Sequence, residues 1–254
     1  MSDACVVLGG GTSEVAIRAA LRFAAAGTRR FVLAGRDEQR GRRAVDRIAA
    51  AYPDARPRFV RADLNEPAGA LAVARRAVEE FGTVDVLVNT ISGPSVPALF
   101  HEYPIENLRD GVSAQLVGVL HLCRAVLPSM RSGGGGVIIN VASDAAKVPT
   151  PGEAVIGAAM AAITMFSRTL AMEAKRDNIR VNAVTPSLIR DTGGYDRTMA
   201  QPFSAKLFQK AMAAAHLGVA EPDDLAGLIV FLASADAARI TGQSISVNGG
   251  ISAF

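Results

Sequence analysis

Short apolar runs rich in β-branched residues alternate with longer segments of helical period along almost the whole chain. Seven runs have the length and composition of strands, at residues 4–8, 31–34, 58–60, 84–88, 137–141, 180–184 and 244–247. The segments between them have the period of helices, at residues 13–26, 37–51, 68–81, about 105–130, 153–175, 206–214 and 223–232. Because such alternation produces βαβ crossovers, it predicts an α/β fold: a doubly wound parallel sheet of about seven strands with helices on both faces.

Composition narrows the range of functions. The chain has 254 residues, of which 50% are hydrophobic and 20% charged, so we expect one domain over 1–254. The formal net charge is +3, but the arginines concentrate in predicted helices and there is no lysine-rich run with interleaved aromatics. This pattern argues against a nucleic-acid partner.

The sequence shows no pattern of an export signal, a membrane span or a metal site. It lacks a charged and then apolar leader, and no apolar run of 18 residues is free of polar interruption. His101 and His216 have no ligand spacing with cysteines or acids. Cys5 and Cys123 are predicted to be buried, reduced thiols. We therefore expect a cytoplasmic protein without a metal or a membrane contact.

A glycine-rich turn follows the first predicted strand and contains Gly10 and Thr12. Glycines at such a turn allow backbone N–H groups to approach a pyrophosphate at a helix N-terminus. Arg36, Asp63 and Asn89 follow the second, third and fourth predicted strands. Ligands of open α/β sheets bind at the carboxyl ends of the strands, so these five residues are candidates for binding a dinucleotide.

Several segments together make the whole chain resemble the short-chain dehydrogenase/reductase family. The matching segments are Asp85-Val86-Leu87-Val88-Asn89, Arg124-Ala125-Val126-Leu127-Pro128, Ile179-Arg180-Val181-Asn182-Ala183-Val184-Thr185-Pro186, Ile240-Thr241-Gly242-Gln243 and Val247-Asn248-Gly249-Gly250. The resemblance implies a Rossmann-like fold, an oxidoreductase acting on a small-molecule substrate, and a nicotinamide cofactor. It adds Pro186 to the candidate cofactor-binding residues.

The family's usual active site consists of Asn, Ser, Tyr and Lys, and this sequence matches it only at the serine. Ser143 corresponds to the serine that hydrogen-bonds the substrate oxygen. Ile156 stands at the tyrosine position, Met160 at the lysine position four residues later, and Gln115 at the asparagine position. Isoleucine and methionine have no proton to donate. The resemblance therefore implies a degenerate active site in which Ser143 and Gln115 are the remaining polar members.

The cofactor motif also departs from the family pattern. The three glycines of that pattern correspond to Gly10, Glu14 and Ala16. Glu14 would repel a pyrophosphate unless its side chain turns outward, as a solvated first-turn glutamate would. Arg36 follows Gly35 and resembles the residue that pairs with the 2′-phosphate of NADP, although an arginine-rich, solvated helix start would look the same. We expect NADP(H) if a cofactor binds, and loss of binding is the alternative.

Two charged residues, Asp144 and Lys147, follow Ser143 in the same loop. A serine with an acid and an amine beside it could be a nucleophile, but the spacing fixes no histidine or other base. We therefore expect a role other than nucleophile for Ser143, and a solvent-facing position for Lys147.

A lid is expected over residues about 187–215. The Gly193-Gly194 pair inside this segment is compatible with a hinge, although any flexible loop would have a similar composition. The substrate class remains open at this point, since acyl-CoA, polyketide and steroid-like molecules would all be compatible.

The two longest predicted helices, about 105–130 and 153–175, are apolar on more than one face. Such helices must be buried on more than one side. In the family these helices pack against their counterparts in a partner subunit, so the resemblance implies a homo- or hetero-oligomer, with a tetramer as the family's usual state.

Three hypotheses follow. The first is a non-catalytic pseudoenzyme that assembles with an active paralogue, similar to the cofactor-less subunit of a hetero-oligomeric hydroxyacyl-CoA dehydrogenase. The second is an atypical NADP(H)-dependent reductase or dehydrogenase whose substrate supplies its own proton. The third is a small-molecule-binding or scaffold protein.

Overall fold

The computed structural model describes residues 3–253, which form a seven-stranded sheet in the order β3-β2-β1-β4-β5-β6-β7. All neighbouring strands are parallel. The strands are β1 (Cys5–Gly9), β2 (Arg30–Gly35), β3 (Arg56–Arg61), β4 (Val86–Asn89), β5 (Gly136–Val141), β6 (Ile179–Pro186) and β7 (Ser244–Val247). The predicted doubly wound α/β fold is confirmed.

Eight α-helices connect the strands or follow them among the described residues. They are α1 (Glu14–Ala25), α2 (Glu38–Ala51), α3 (Pro67–Phe81), α4 (Leu108–Ser132), α5 (Ala154–Ala174), α6 (Gly193–Met199), α7 (Pro202–Ala214) and α8 (Pro222–Ala233). A short 3₁₀ turn, Ile105–Asn107, precedes α4.

Helices cover both faces of the sheet and create two cores. Successive strand residues point to opposite faces, so Val7 and Leu8 of β1 belong to different cores. The core that contains Val7 includes buried side chains of α3, α4 and α5, and the core that contains Leu8 includes those of α1, α2 and α8. This double burial explains why the strand sequences are almost continuously apolar.

The structure differs from the sequence prediction mainly between β6 and α7. The short helix α6 was not predicted, and α7 begins at Pro202 rather than at residue 206. Two glycines open α6 and lower its helix propensity, but the hydroxyl of Thr192 accepts a hydrogen bond from the Tyr195 amide and caps the helix.

Two helical segments, Ile105–Ser132 and Ala154–Asp177, are long and apolar enough to cross a membrane when only length and composition are considered. Core helices of globular proteins pass the same test. In this structure α4 and α5 pack against each other, and α5 also packs against β6. The absence of a membrane contact stays a prediction.

Candidate active site

Ser143 lies just beyond the carboxyl end of β5, as its position in the sequence predicts. It precedes a 3₁₀ turn, Asp144–Ala146, and its Oγ accepts a hydrogen bond of 3.2 Å from the Ala145 amide. The hydroxyl proton is not used by that bond, because the oxygen acts as the acceptor. Ser143 can therefore donate a hydrogen bond to a ligand.

Ser143 opens onto a cavity of about 90 Å³. Polar groups come from the loop after β5 and the segment after β6, and apolar side chains come mainly from α7. The lining residues are Ser143, Asp144, Ala145, Val148, Thr150, Glu153, Ser187, Leu207, Phe208, Ala211, Ile251 and Ser252. The cavity therefore combines hydrogen-bonding groups with apolar side chains.

Ile156 and Met160 contribute to the core instead of this cavity. Met160 is 5% exposed and belongs to the core cluster, and the half-buried Ile156 packs against that cluster. Neither residue is among the described residues that line the cavity. Both positions therefore supply apolar packing and no proton.

Gln115 lies on α4 and is 5% exposed. Its Nε2 donates a hydrogen bond of 3.2 Å to the carbonyl oxygen of Gly111, one turn earlier in the same helix. The amide is therefore used within α4, and the proposed role of Gln115 at the substrate stays a prediction.

Asp144 and Lys147 form an ion pair in the structure, with 3.5 Å between Lys147 Nζ and Asp144 Oδ1. Lys147 also donates to the hydroxyl of Ser246, and Asp144 accepts hydrogen bonds from Ser246, Asn248 and Ser252. The expectation that Lys147 faces solvent is wrong, since its side chain is only 12% exposed. Side chains of β7 and of the residues that follow it hold the pair in place. These partners are far away along the chain, so the sequence did not predict them.

The glycine-rich turn after β1 is closely packed. Gly10 has φ +71, and a Cβ at this position would come within 2.8 Å of the Thr90 carbonyl oxygen. The Thr90 hydroxyl lies within hydrogen-bond distance of the carbonyl oxygens of Gly9 and Gly10 and of the Ser13 hydroxyl. Glycine at position 10 is required by this packing whether or not a pyrophosphate binds. The Ser13 hydroxyl caps one of the first N–H groups of α1, but those of the first two helical residues have no acceptor within the helix, so the turn retains an anion-binding end.

Glu14 turns towards α2, where its Oε1 accepts a 2.7 Å hydrogen bond from Arg47. The guanidinium compensates its negative charge, which reduces the repulsion anticipated from the sequence. Arg36 is exposed and has no side-chain partner among the residues that the structure describes. It is therefore available to an anionic ligand. The carbonyl oxygen of Thr12 accepts a hydrogen bond from the Arg40 guanidinium.

The other candidate cofactor residues differ in exposure. Asp63 is exposed and accepts a hydrogen bond from the Asn65 amide. Asn89 is fully buried and donates to Asn140 on the neighbouring strand. Pro186 is buried at the end of β6. A ligand in the cleft could thus meet Asp63 directly, whereas Asn89 offers it no exposed surface.

Within residues 3–253, no group of three His, Cys, Asp or Glu side chains is arranged to hold a metal ion. The described thiols of Cys5 and Cys123 are both free and buried. Burial raises the pKa of each thiol to about 12, so neither is a reactive thiolate at neutral pH.

Comparison with known proteins agrees with this architecture. Residues 11–252 match the family described as Enoyl-(Acyl carrier protein) reductase. The chain is 31% identical to the 3α-hydroxysteroid dehydrogenase of Mediterraneibacter gnavus over 250 residues, which cover 98% of this chain and 97% of that protein. The chain belongs to the short-chain dehydrogenase/reductase family. A further member, the meso-2,3-butanediol dehydrogenase of Serratia marcescens, is 31% identical over 98% of this chain and 94% of its own length.

Solved structures of short-chain dehydrogenases/reductases superpose over nearly the whole chain. The 3-ketoacyl-(acyl-carrier-protein) reductase of Brucella melitensis, complexed with NADH, is 29% identical with a TM-score of 0.86, covering 98% of both chains. A 7α-hydroxysteroid dehydrogenase complexed with NADH and 7-oxo glycochenodeoxycholic acid is 27% identical with a TM-score of 0.88, covering 97% of this chain and 93% of the other. The chain thus has the full fold of an SDR oxidoreductase.

One acid in this SDR site, Glu153, was not singled out from the sequence. Glu153 precedes α5 and lines the same cavity as Ser143. Burial raises the pKa of its carboxyl to about 7, and a hydrogen bond with the Thr150 side chain partly opposes that rise. The sequence feature that could have pointed to Glu153 is its position three residues before Ile156, because residues with this spacing lie near the same face of a helix.

Proposed function

We propose that this short-chain dehydrogenase/reductase is a non-catalytic subunit that assembles with an active member of the same family. The observation that carries the proposal is the pair Ile156 and Met160, which pack into the core where the family's proton donor and its lysine partner are expected. Reduction of a ketone develops negative charge on its oxygen, and a positioned acid typically contributes ~10²–10⁴-fold. Without that acid, the chain retains the family scaffold and lacks the usual proton-transfer step.

The outer surface of α5 supports assembly. Met165 and Met172 are 59% and 60% exposed, although each is a large apolar side chain. On α4, Leu116 and Leu127 are only partly buried. Apolar side chains exposed together mark contact surfaces. We propose that α4 and α5 contact the corresponding helices of a partner subunit, in a homo- or hetero-oligomer.

The residues of the cleft fit a nicotinamide dinucleotide. The N-terminus of α1, with Gly10 and Thr12, would hold the pyrophosphate. Exposed Arg36 would pair with a 2′-phosphate, and Asp63 would line the remainder of the cleft, whereas Asn89 and Pro186 are buried in this structure. Such a cofactor would supply or accept hydride when bound. Both solved relatives described above hold NADH, and we propose NADP(H) for this chain because of Arg36.

The test is to purify the chain alone and after co-expression with SDR proteins encoded beside it. We expect native mass spectrometry to show a complex that contains both chains, and dehydrogenase activity only in preparations with the partner. Full activity of the isolated homo-oligomer would contradict the proposal. Recovery of the chain without a partner and without activity would leave a binding or scaffold role.

The unpaired Arg36 favours a second candidate, an atypical NADP(H)-dependent reductase. In that case Ser143 and Gln115 would position a substrate that provides its own proton. Titration with NADPH decides whether it is feasible: we expect a saturable fluorescence change that weakens in Arg36→Ala, with Arg42→Ala as a control because Arg42 is already paired with Glu38. No change at millimolar NADPH would exclude this candidate.

We also propose that the segment 187–215 covers the site as a lid, since Leu207, Phe208 and Ala211 of α7 line the cavity. The proposed location of the protein is the cytoplasm.

A further inference from the structure

Glu153 is placed like a helix-capping residue but does not act as one. It occupies the N-cap position of α5, yet its side chain makes no capping hydrogen bond to that helix. It lines the cavity that Ser143 opens onto. A glutamate at a helix N-terminus ordinarily lies in solvent, as Glu66 does at the start of α3. Glu66 also makes no capping hydrogen bond, so the difference between the two is that Glu153 lines the cavity.

The protonation of Glu153 is also unusual. The N-terminus of α5 favours a negative charge, and the Thr150 hydrogen bond lowers the pKa as well. Burial outweighs both effects and raises the pKa to about 7. A carboxyl with this pKa is partly protonated near neutral pH, and in that form it donates a hydrogen bond.

None of the described residues that line the cavity carries a positive charge that would stabilise the ionised form of Glu153. The other titratable residue that lines the cavity, Asp144, is already held by Lys147, Ser246, Asn248 and Ser252. Lys147 donates to Ser246 and pairs with Asp144. The described lining residues of α7 and of the C-terminal segment carry no charge, and Ser187 after β6 is also neutral.

We propose that Glu153 is a second hydrogen-bond donor, beside the family's serine position Ser143, for the carbonyl oxygen of a small neutral ketone in this cavity. In its bond with the Ala145 amide the Ser143 oxygen is the acceptor. That bond does not use the hydroxyl proton, so the hydroxyl can still donate. The apolar body of the ketone would lie against Val148, Leu207 and Phe208, which also line the cavity. This inference goes beyond the proposed function, since binding requires neither a partner subunit nor a cofactor.

The size of the cavity limits the ligand. Its volume is about 90 Å³, and one water needs ~10–15 Å³ by this measure. The space therefore suits several waters or a compact ketone with the lid in place. Cyclohexanone is a suitable probe because it has one carbonyl acceptor and a compact apolar ring.

The experiment measures cyclohexanone binding to the full-length chain, without cofactor, by ligand-observed NMR at pH 5.5 and pH 8.5. The protonated fraction of a carboxyl falls about tenfold for each pH unit above its pKa. We expect wild-type affinity to be at least about tenfold higher at pH 5.5. Glu153→Gln keeps a donor at every pH, so its affinity should not change between the two conditions. Glu66→Gln is the matched control at an exposed N-cap and should keep the wild-type pH dependence.

Ser143→Ala should weaken binding at both pH values while the pH dependence remains. Three results would overturn the proposal: pH-independent binding by the wild type, unchanged pH dependence in Glu153→Gln, or no saturable binding at either pH. If Glu153→Gln does not fold, a Glu153 titration midpoint below 5 by NMR of the wild type would overturn it. Co-expression tests the assembly proposal separately, so the two failures are distinguishable.

Discussion

Glu153 makes the stability of the folded chain depend on pH. Its carboxyl has a pKa of about 7 when folded, against an ordinary value of 4.5. The folded state therefore binds more protons between these values, and stability falls as pH rises from 4.5 to 7.

Replacing Glu153 with glutamine should remove this loss of stability at high pH. We expect Glu153→Gln to raise the free energy of unfolding by about 1–3 kcal/mol at pH 8 and to change it little at pH 4. Urea denaturation at both pH values measures the difference. An equal effect at pH 4 and pH 8 would contradict the raised pKa, and Glu66→Gln should have little effect at either pH.

Removing only one member of the Asp144–Lys147 pair should strongly destabilise the folded chain. Asp144→Ala leaves the mostly buried Lys147 ammonium without its carboxylate, so we expect a loss of about 3–5 kcal/mol of stability. Asp144→Asn/Lys147→Met should lose less stability than the sum of the losses in Asp144→Asn and Lys147→Met measured singly, because neither charge remains. A double-mutant cycle by urea denaturation checks this, and additive losses would show that the pair does not interact.

Single residues were predictable only where a strand end fixes them. Ser143 could be placed from sequence because it follows β5 closely. The surroundings of Lys147 and Glu153 could not be predicted, because Lys147 bonds to Ser246, 99 residues later, and the cavity that Glu153 lines is completed by α7 residues such as Phe208. Local sequence does not specify such distant partners.

Among the helices, the exposed methionines of α5 lead to a prediction about assembly. Met165→Arg and Met172→Arg each place a charge on the surface proposed to contact a partner. We expect the native mass to fall to that of a smaller oligomer, measured by light scattering. Leu71→Arg on α3 is the matched control, since Leu71 is also 60% exposed, and it should leave the mass unchanged. An unchanged mass in both methionine variants would exclude this surface.

Strands and long helices were predictable because their period is continuous. The bounds of β7 were predicted as residues 244–247, and those of β1 and α1 differed by one residue. The short helix α6 was missed because Gly193 and Gly194 obscure its signal and the Thr192 cap is the main local support.

At the scale of the whole molecule, the sheet brings the two candidate functional segments to one edge. The turn after β1 and the Ser143 loop after β5 both lie at carboxyl ends of parallel strands, and β4 separates the two strands. This arrangement was predictable from the alternation of strands and helices. The segment proposed as a lid was predicted only in part: a helix was expected at residues 206–214, but α6 and the first residues of α7 were not.

The most direct measurement is the oxidation of a 3α-hydroxysteroid and of meso-2,3-butanediol by the purified chain with NADP⁺ or NAD⁺. Wild type, Ile156→Tyr, Met160→Lys and the double variant are compared. We expect the wild type and both single variants to turn over at a low rate close to the background. The double variant should exceed the wild-type rate on one substrate by about 10²-fold, because it restores the proton donor and its cationic partner. Turnover by the wild type as fast as by the double variant would contradict the loss of the proton donor.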